Sequence, residues 1–126
     1  MKFSVELSPT CDATSIPEHA RIIEECGFYR IWVRDMISVP WELWTALSTV
    51  VLSTNRIRIG MDVANPYTRS PVVMAHAAVT LDRISKGRLD VGFGGGIPGL
   101  LRKMGIENRI IVCEEGADIG VMRPIK

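Results

Sequence analysis

Residues 56–81 read RIRIGMDVANPYTRSPVVMAHAAVTL, a strand, a loop and a helix in one run. RIRIGMDV (56–63) has the apolar, β-branched character of a strand. Ser70-Pro71 opens a helix, with proline where a first turn tolerates it, and Val73, Ala77, Leu81 and Ile84 form its apolar stripe. Lys86-Gly87 closes it, since a cation and a glycine suit a helix C-terminus. The connecting NPYTRSP (65–71) is longer than a turn requires, because Asn-Pro or Ser-Pro alone would do. Tyr67, Thr68 and Arg69 therefore belong to a loop that presents something. Arg69 precedes a helix N-terminus, where the macrodipole disfavours a cation. It fits there if it holds an anion or a carboxylate; the alternative is a solvated side chain.

The same unit recurs on both sides. KFSVELS (2–8) alternates, with Phe3, Val5 and Leu7 on one face and Ser4, Glu6 and Ser8 on the other. Ser15-Ile16-Pro17-Glu18 fits a capping box, Ile16, Ala20 and Ile23 continue at helical spacing, and Gly27 supplies the stop. FYRIWV (28–33) is the second strand and ends at Arg34-Asp35. Pro40 opens a second helix, WELWTALSTVVLST (41–54), with Trp44, Leu47 and Val51 on one stripe. RLDVGF (88–93) is the fourth strand and runs into Gly94-Gly95-Gly96. After Pro98 come a short helical piece, LLRKMG (100–105), and a less patterned tail, 107–126, in which CEEGADIGVM (113–122) reads as a helix.

A strand–helix pair about every 30 residues is the size of a βαβ unit, and such alternation means a parallel sheet with right-handed crossovers. The chain, 1–126, reads as a single α/β domain. An open doubly wound sheet and a piece of a (β/α)₈ barrel both fit, and spacing does not separate them. In both, ligands bind at the carboxyl ends of the strands. That edge carries Glu6 and Ser8, Asp35, the stretch Asp62 to Arg69, and Gly94 to Gly96. Asp35 reads as a site carboxylate, or as a cap or the partner of Arg34 or Arg58. Glu6 points into a polar barrel mouth or is exposed on an edge strand. Gly94, Gly96 and Gly99 match G-x-G-x-x-G, but after the fourth strand and with Pro98 inside the motif, which is a poor dinucleotide fingerprint. Those glycines let the backbone turn sharply or approach a ligand closely.

A net charge of +1 offers no electrostatic case for nucleic acid or an acidic membrane. The N-terminus lacks a signal-peptide core and no apolar run approaches transmembrane length, so a cytoplasmic protein is expected. Cys11, Cys26 and Cys113 are far apart, form no CxxC pair, and read as reduced thiols. His19 and His76 lie in helices without a second ligand at useful spacing, so no metal site is expected, nor any Cys/His or Ser/His/Asp arrangement. Chemistry that needs a bound cofactor and positioning remains.

VELSP (5–9), GFYRIWVRD (27–35), NRIRIGMDVANPYTRSP (55–71) and AAVTLDRISKGRLDVGFGGG (77–96) together resemble the bacterial luciferase-like superfamily. The likeness is strongest to its deazaflavin-dependent branch, which contains the methylenetetrahydromethanopterin reductases. NPYTR followed by TLD-x-x-S-x-GR is its most specific part. The resemblance implies a TIM-type (β/α)₈ barrel, of which four βα units are approximately half. It implies coenzyme F-420 (a deazaflavin) or FMN at the carboxyl edge, with hydride transfer to a small carbon substrate. It further implies a non-prolyl cis peptide at Asp62–Val63 backing the cofactor ring. Asn65, Arg69, Gly94, Gly95 and Gly96 are then cofactor contacts, and Glu6 and Asp35 the polar catalytic groups. The chain departs from the branch at Asp35-Met36, where Asp-His is common, at Asp62 for a usual glycine, and at Ser70 for a frequent histidine. Four strands closed on neither side leave the first and fourth with bare edges, so a homodimer or higher homo-oligomer is expected. The alternative function is a non-catalytic half-barrel oligomer, without cofactor, acting as a binding or structural protein.

Overall fold

The computed structural model describes residues 1–36 and 38–106 together with the short strand 121–122. Four strands, β1 (Ser4–Glu6), β2 (Arg30–Val33), β3 (Arg58–Met61) and β4 (Leu89–Gly92), pair in parallel and in sequence order. Between them run α1 (Ile16–Glu25), α2 (Leu43–Ser53) and α3 (Pro71–Ser85), and α4 (Pro98–Lys103) follows β4. Each strand is shorter than its apolar run in the sequence, because the flanking residues bend into the loops.

The register shows why the strands read as they do. Val5, Ile31, Ile59 and Leu89 form one row across the sheet, and Glu6, Trp32, Gly60 and Asp90 the next. Ile31, Val33, Ile59, Met61, Leu89 and Val91 pack in one buried cluster with Leu43, Ala46, Leu47, Val50 and Val51 of α2, Ile16 and Ala20 of α1, and Met74 and Leu81 of α3. The opposite face is charged. Asp90 accepts from the guanidinium groups of Arg30 (2.7 Å) and Arg58, and the Arg30 guanidinium lies 4.6 Å over the Trp32 ring. In a closed barrel this face is the interior.

Several expectations change. Ser15 precedes α1, but its hydroxyl donates to Asp12 O at 2.8 Å and makes no capping bond, so the capping box does not form; a 3₁₀ turn, Ala13–Ser15, occupies that corner instead. The second helix begins at Leu43 rather than Pro40, with the Glu42 carboxylate accepting from Thr45 N at its N-terminus. The buried side of α3 is Met74, Leu81 and Ser85; Val73 and Ile84, placed in its stripe, are 59 % and 51 % exposed. The edge of β4 is not bare, because β5 (Val121–Met122) pairs with it antiparallel. The helix expected over 113–122 lies outside the described residues except for Val121 and Met122, which form that strand. Among the described residues, no helix is long and apolar enough to cross a membrane.

Two polar side chains tie elements together across the chain. Glu24 accepts the backbone N–H groups of Asn55, Arg56 and Ile57 at 2.8–3.1 Å. Burial pushes the Glu24 carboxyl up, but those three bonds and the nearby Arg56 outweigh it and hold it below the ordinary range. Arg88 donates to the carbonyls of Val51, Thr54 and Ile57 at 3.0–3.1 Å, so a cation closes the C-terminus of α2.

Candidate functional site

The loops after β2, β3 and β4 enclose a cleft of about 440 Å³ at the carboxyl edge of the sheet. One wall is the segment leaving β3. Asp62 N donates to Val33 O, Ala64 N to Gly92 O and Gly94 N to Ala64 O, so this segment stays laced between β2 and β4 beyond the regular ladder. Its Asp62–Val63 peptide bond is cis, at the position expected from the resemblance. The other wall is α4 and its approach. Ile97, Leu100, Leu101 and Met104 fall at i, i+3, i+4 and i+7, which puts four apolar side chains on one face of the cleft.

NPYTRSP folds back on itself. Asn65 is buried, its Oδ1 accepts from Tyr67 N at 2.9 Å, and Thr68 Oγ1 donates to Asn65 O at 3.1 Å. Asp35 Oδ2 accepts from Asn65 N at 2.9 Å. Arg69 donates to both oxygens of Asp35, at 2.7 and 3.0 Å, and to Glu42 Oε1 at 2.9 Å. The hydrogen bonds that Arg69 donates to Asp35, and then the charges of Asp35 and Glu42, outweigh burial and raise the Arg69 guanidinium above its ordinary range. The argument that Arg69 needs a carboxylate before a helix N-terminus holds, and the carboxylates are the chain's own. Glu6 pairs with Arg34 through a fork of 2.5 and 2.8 Å. The ion pairs offered for Asp35 with Arg34 or Arg58 do not form; Arg34 takes Glu6 and Arg58 takes Asp90.

The structure brings Asp35, Asp62, Val63, Asn65, Arg69 and Gly96 together in the cleft lining, while Glu6, Gly94 and Gly95 stand outside it. A Cβ on Gly94 would collide with Val63, and one on Gly96 with the Asn65 amide; Gly96 also has φ +68°. These two glycines let the loop after β4 close on the segment leaving β3. Gly95 faces open space. Sequence reasoning missed the apolar wall, and it named Arg34, Met36 and Thr68 without giving them a place in the site. The wall had a legible signal in the helical spacing of residues 97, 100, 101 and 104.

A cleft with one apolar wall and one wall of backbone and amide groups suits a flat, partly polar ring system. Of the two carboxylates in the lining, Asp35 is engaged by Arg69 and Asn65 and is no free acid or base, while Asp62 lines the cleft beside Arg34.

Parallel strands in the order β1-β2-β3-β4, with α1, α2 and α3 packed in one cluster on one face and a cleft at the carboxyl ends, are a piece of a (β/α) barrel of the ligand-binding kind. The family model described as luciferase-like monooxygenase matches residues 1–108, and the chain belongs to that family. It is 32 % identical over 106 residues to the 5,10-methylenetetrahydromethanopterin reductase of Methanolobus tindarius, covering 84 % of this chain and 32 % of that one. The solved coenzyme F-420-dependent tetrahydromethanopterin reductase of Methanopyrus kandleri superposes with a TM-score of 0.74 at 34 % identity, over 82 % of this chain and 30 % of that one. The 4-hydroxyprotoasukamycin monooxygenase of Streptomyces nodosus subsp. asukaensis is 30 % identical over 71 % of this chain and 26 % of its own. The match spans about a third of the length of these relatives, while the four βα units remain about half of an eight-unit barrel.

Proposed function

We propose that the cleft is the ring-binding part of a coenzyme site, for coenzyme F-420 or FMN, in an oxidoreductase acting on a small carbon substrate. The observation that carries this reading is the opposition of the segment Asp62–Asn65 to the apolar wall Ile97–Met104 across one cleft. Support comes from the 34 % identity to a reductase whose name includes coenzyme F-420. The bound coenzyme supplies hydride chemistry, which asks the protein chiefly for orientation and exclusion of water. Leu100, Leu101 and Met104 cover one face of the ring, and Val63 backs the other. Asn65, held by Asp35, fixes the ring edge. Gly94 and Gly96 shape the loop that closes on it, with Gly95 between them. Arg69 locks the loop to α2 through Glu42. Glu6 and Asp35 act by holding Arg34 and Arg69 in place rather than by carrying protons.

A second copy of the chain, in a homodimer or larger assembly, covers the free edge of β1 and supplies the remaining grip on the coenzyme. The protein works in the cytoplasm. A second reading is a non-catalytic half-barrel oligomer serving as a binding or structural protein, and the edge of β1, free of a strand partner among the described residues, favours it. Titration with each coenzyme, followed by fluorescence while light scattering fixes the mass, tests the choice. Saturation at about micromolar concentration supports the coenzyme site, and a stable oligomer that binds neither supports the second reading.

A further inference from the structure

The corner between β1 and α1 holds a pair that the sequence spacing does not announce. Cys11 is 7 % exposed, and its Sγ lies 3.1 Å from His19 Nδ1 and 3.1 Å from Ser15 Oγ. The 3₁₀ turn Ala13–Ser15 folds the chain back so that residues eight apart meet. The expectation of no Cys/His arrangement is thereby corrected. The Sγ also sits beside the first turn of α1, a ten-residue helix. Cys26, at the other end of the same helix, is exposed and free. It is a built-in control.

We propose that Cys11, with His19 as its base, is a nucleophilic thiol that small disulfides convert to a mixed disulfide. The proton on Sγ passes to His19 Nδ1, and the sulfur attacks one sulfur of the disulfide. A new S–S bond forms as the old one breaks, and the departing thiolate takes a proton from the imidazolium. The disulfide is the oxidant, so the exchange balances without another reactant. Ser15 Oγ, whose own proton is donated to Asp12 O, lies against the sulfur as an acceptor. The site lies on the carboxyl edge of the sheet but outside the coenzyme cleft, and the proposal stands without the coenzyme reading.

The test treats the folded protein at neutral pH with hydroxyethyl disulfide and follows the adducts on the Cys11 and Cys26 peptides by mass. His19 is on the exposed side of α1, and His19→Asn leaves the core intact. The expected result is adduct formation at Cys11 that slows about fivefold or more in His19→Asn, with the Cys26 rate unchanged. Matching melting temperatures confirm that both proteins are folded. Modification of Cys11 only after denaturation, or at the same rate in His19→Asn, overturns the proposal.

Discussion

Asp90 keeps its carboxylate 2 % exposed in the middle of a sheet, which is tolerable because two guanidinium groups lie against it. Burial pushes this carboxyl up, but the hydrogen bond from Arg58 and the charges of Arg30 and Arg58 bring it below its ordinary range. Asp90→Asn leaves two arginines facing each other and is expected to cost about 3 kcal/mol, read from urea unfolding. Asp90 and Glu24 both have folded-state pKa values below the unfolded ones. Their contribution to stability is therefore complete above about pH 5 and is lost as pH falls through the depressed values. Unfolding curves across that range should show a shallower acid loss for Glu24→Gln than for the natural chain. Neither group was legible in the sequence. Asp90 meets partners 32 and 60 residues away, and one sequence says nothing of which charges meet. Asp35 and Arg69 were legible as polar groups of one loop edge, although not as partners of each other.

At the scale of elements, the loop after β4 depends on two close approaches that its run of three glycines does not distinguish. Gly96→Ala meets Asn65 and a positive φ, so a loss of about 1–2 kcal/mol and weaker coenzyme binding are expected, whereas Gly95→Ala leaves both near the natural values. Thermal melting and coenzyme titration of the pair check this. Arg69→Lys keeps the charge but loses the fork on Asp35, so the loop loosens from the end of β2. Faster hydrogen exchange at Asn65 and Tyr67 is the expected sign. The βα alternation was readable because strand and helix periods differ so plainly. The face of α3 was not, because VVMAHAAV is apolar nearly all round and fits more than one stripe. Met74 and Leu81 won because β3 and β4 lie on that side.

For the whole molecule, two features stay open among the described residues. The edge of β1 is free of a strand partner among the described residues, and Val72, Val73, Val79 and Ile84 leave an apolar outer face on α3. Sedimentation at micromolar concentration is expected to show a dimer or larger species; a monomer at that concentration counts against self-association. The barrel architecture could be read only through resemblance, since four βα units fit two folds equally well. The relation of the tail to β4 could not be read at all, because Val121 and Met122 carry no pattern that marks a strand. The most direct test of the coenzyme cleft is a side-by-side titration of the natural chain and Leu100→Glu with coenzyme F-420 and with FMN. Leu100 lines the apolar wall, so a carboxylate there should weaken binding at least tenfold while the natural chain saturates at about micromolar concentration. Equal binding by both proteins, or none by either at hundreds of micromolar, would contradict the assignment of this cleft.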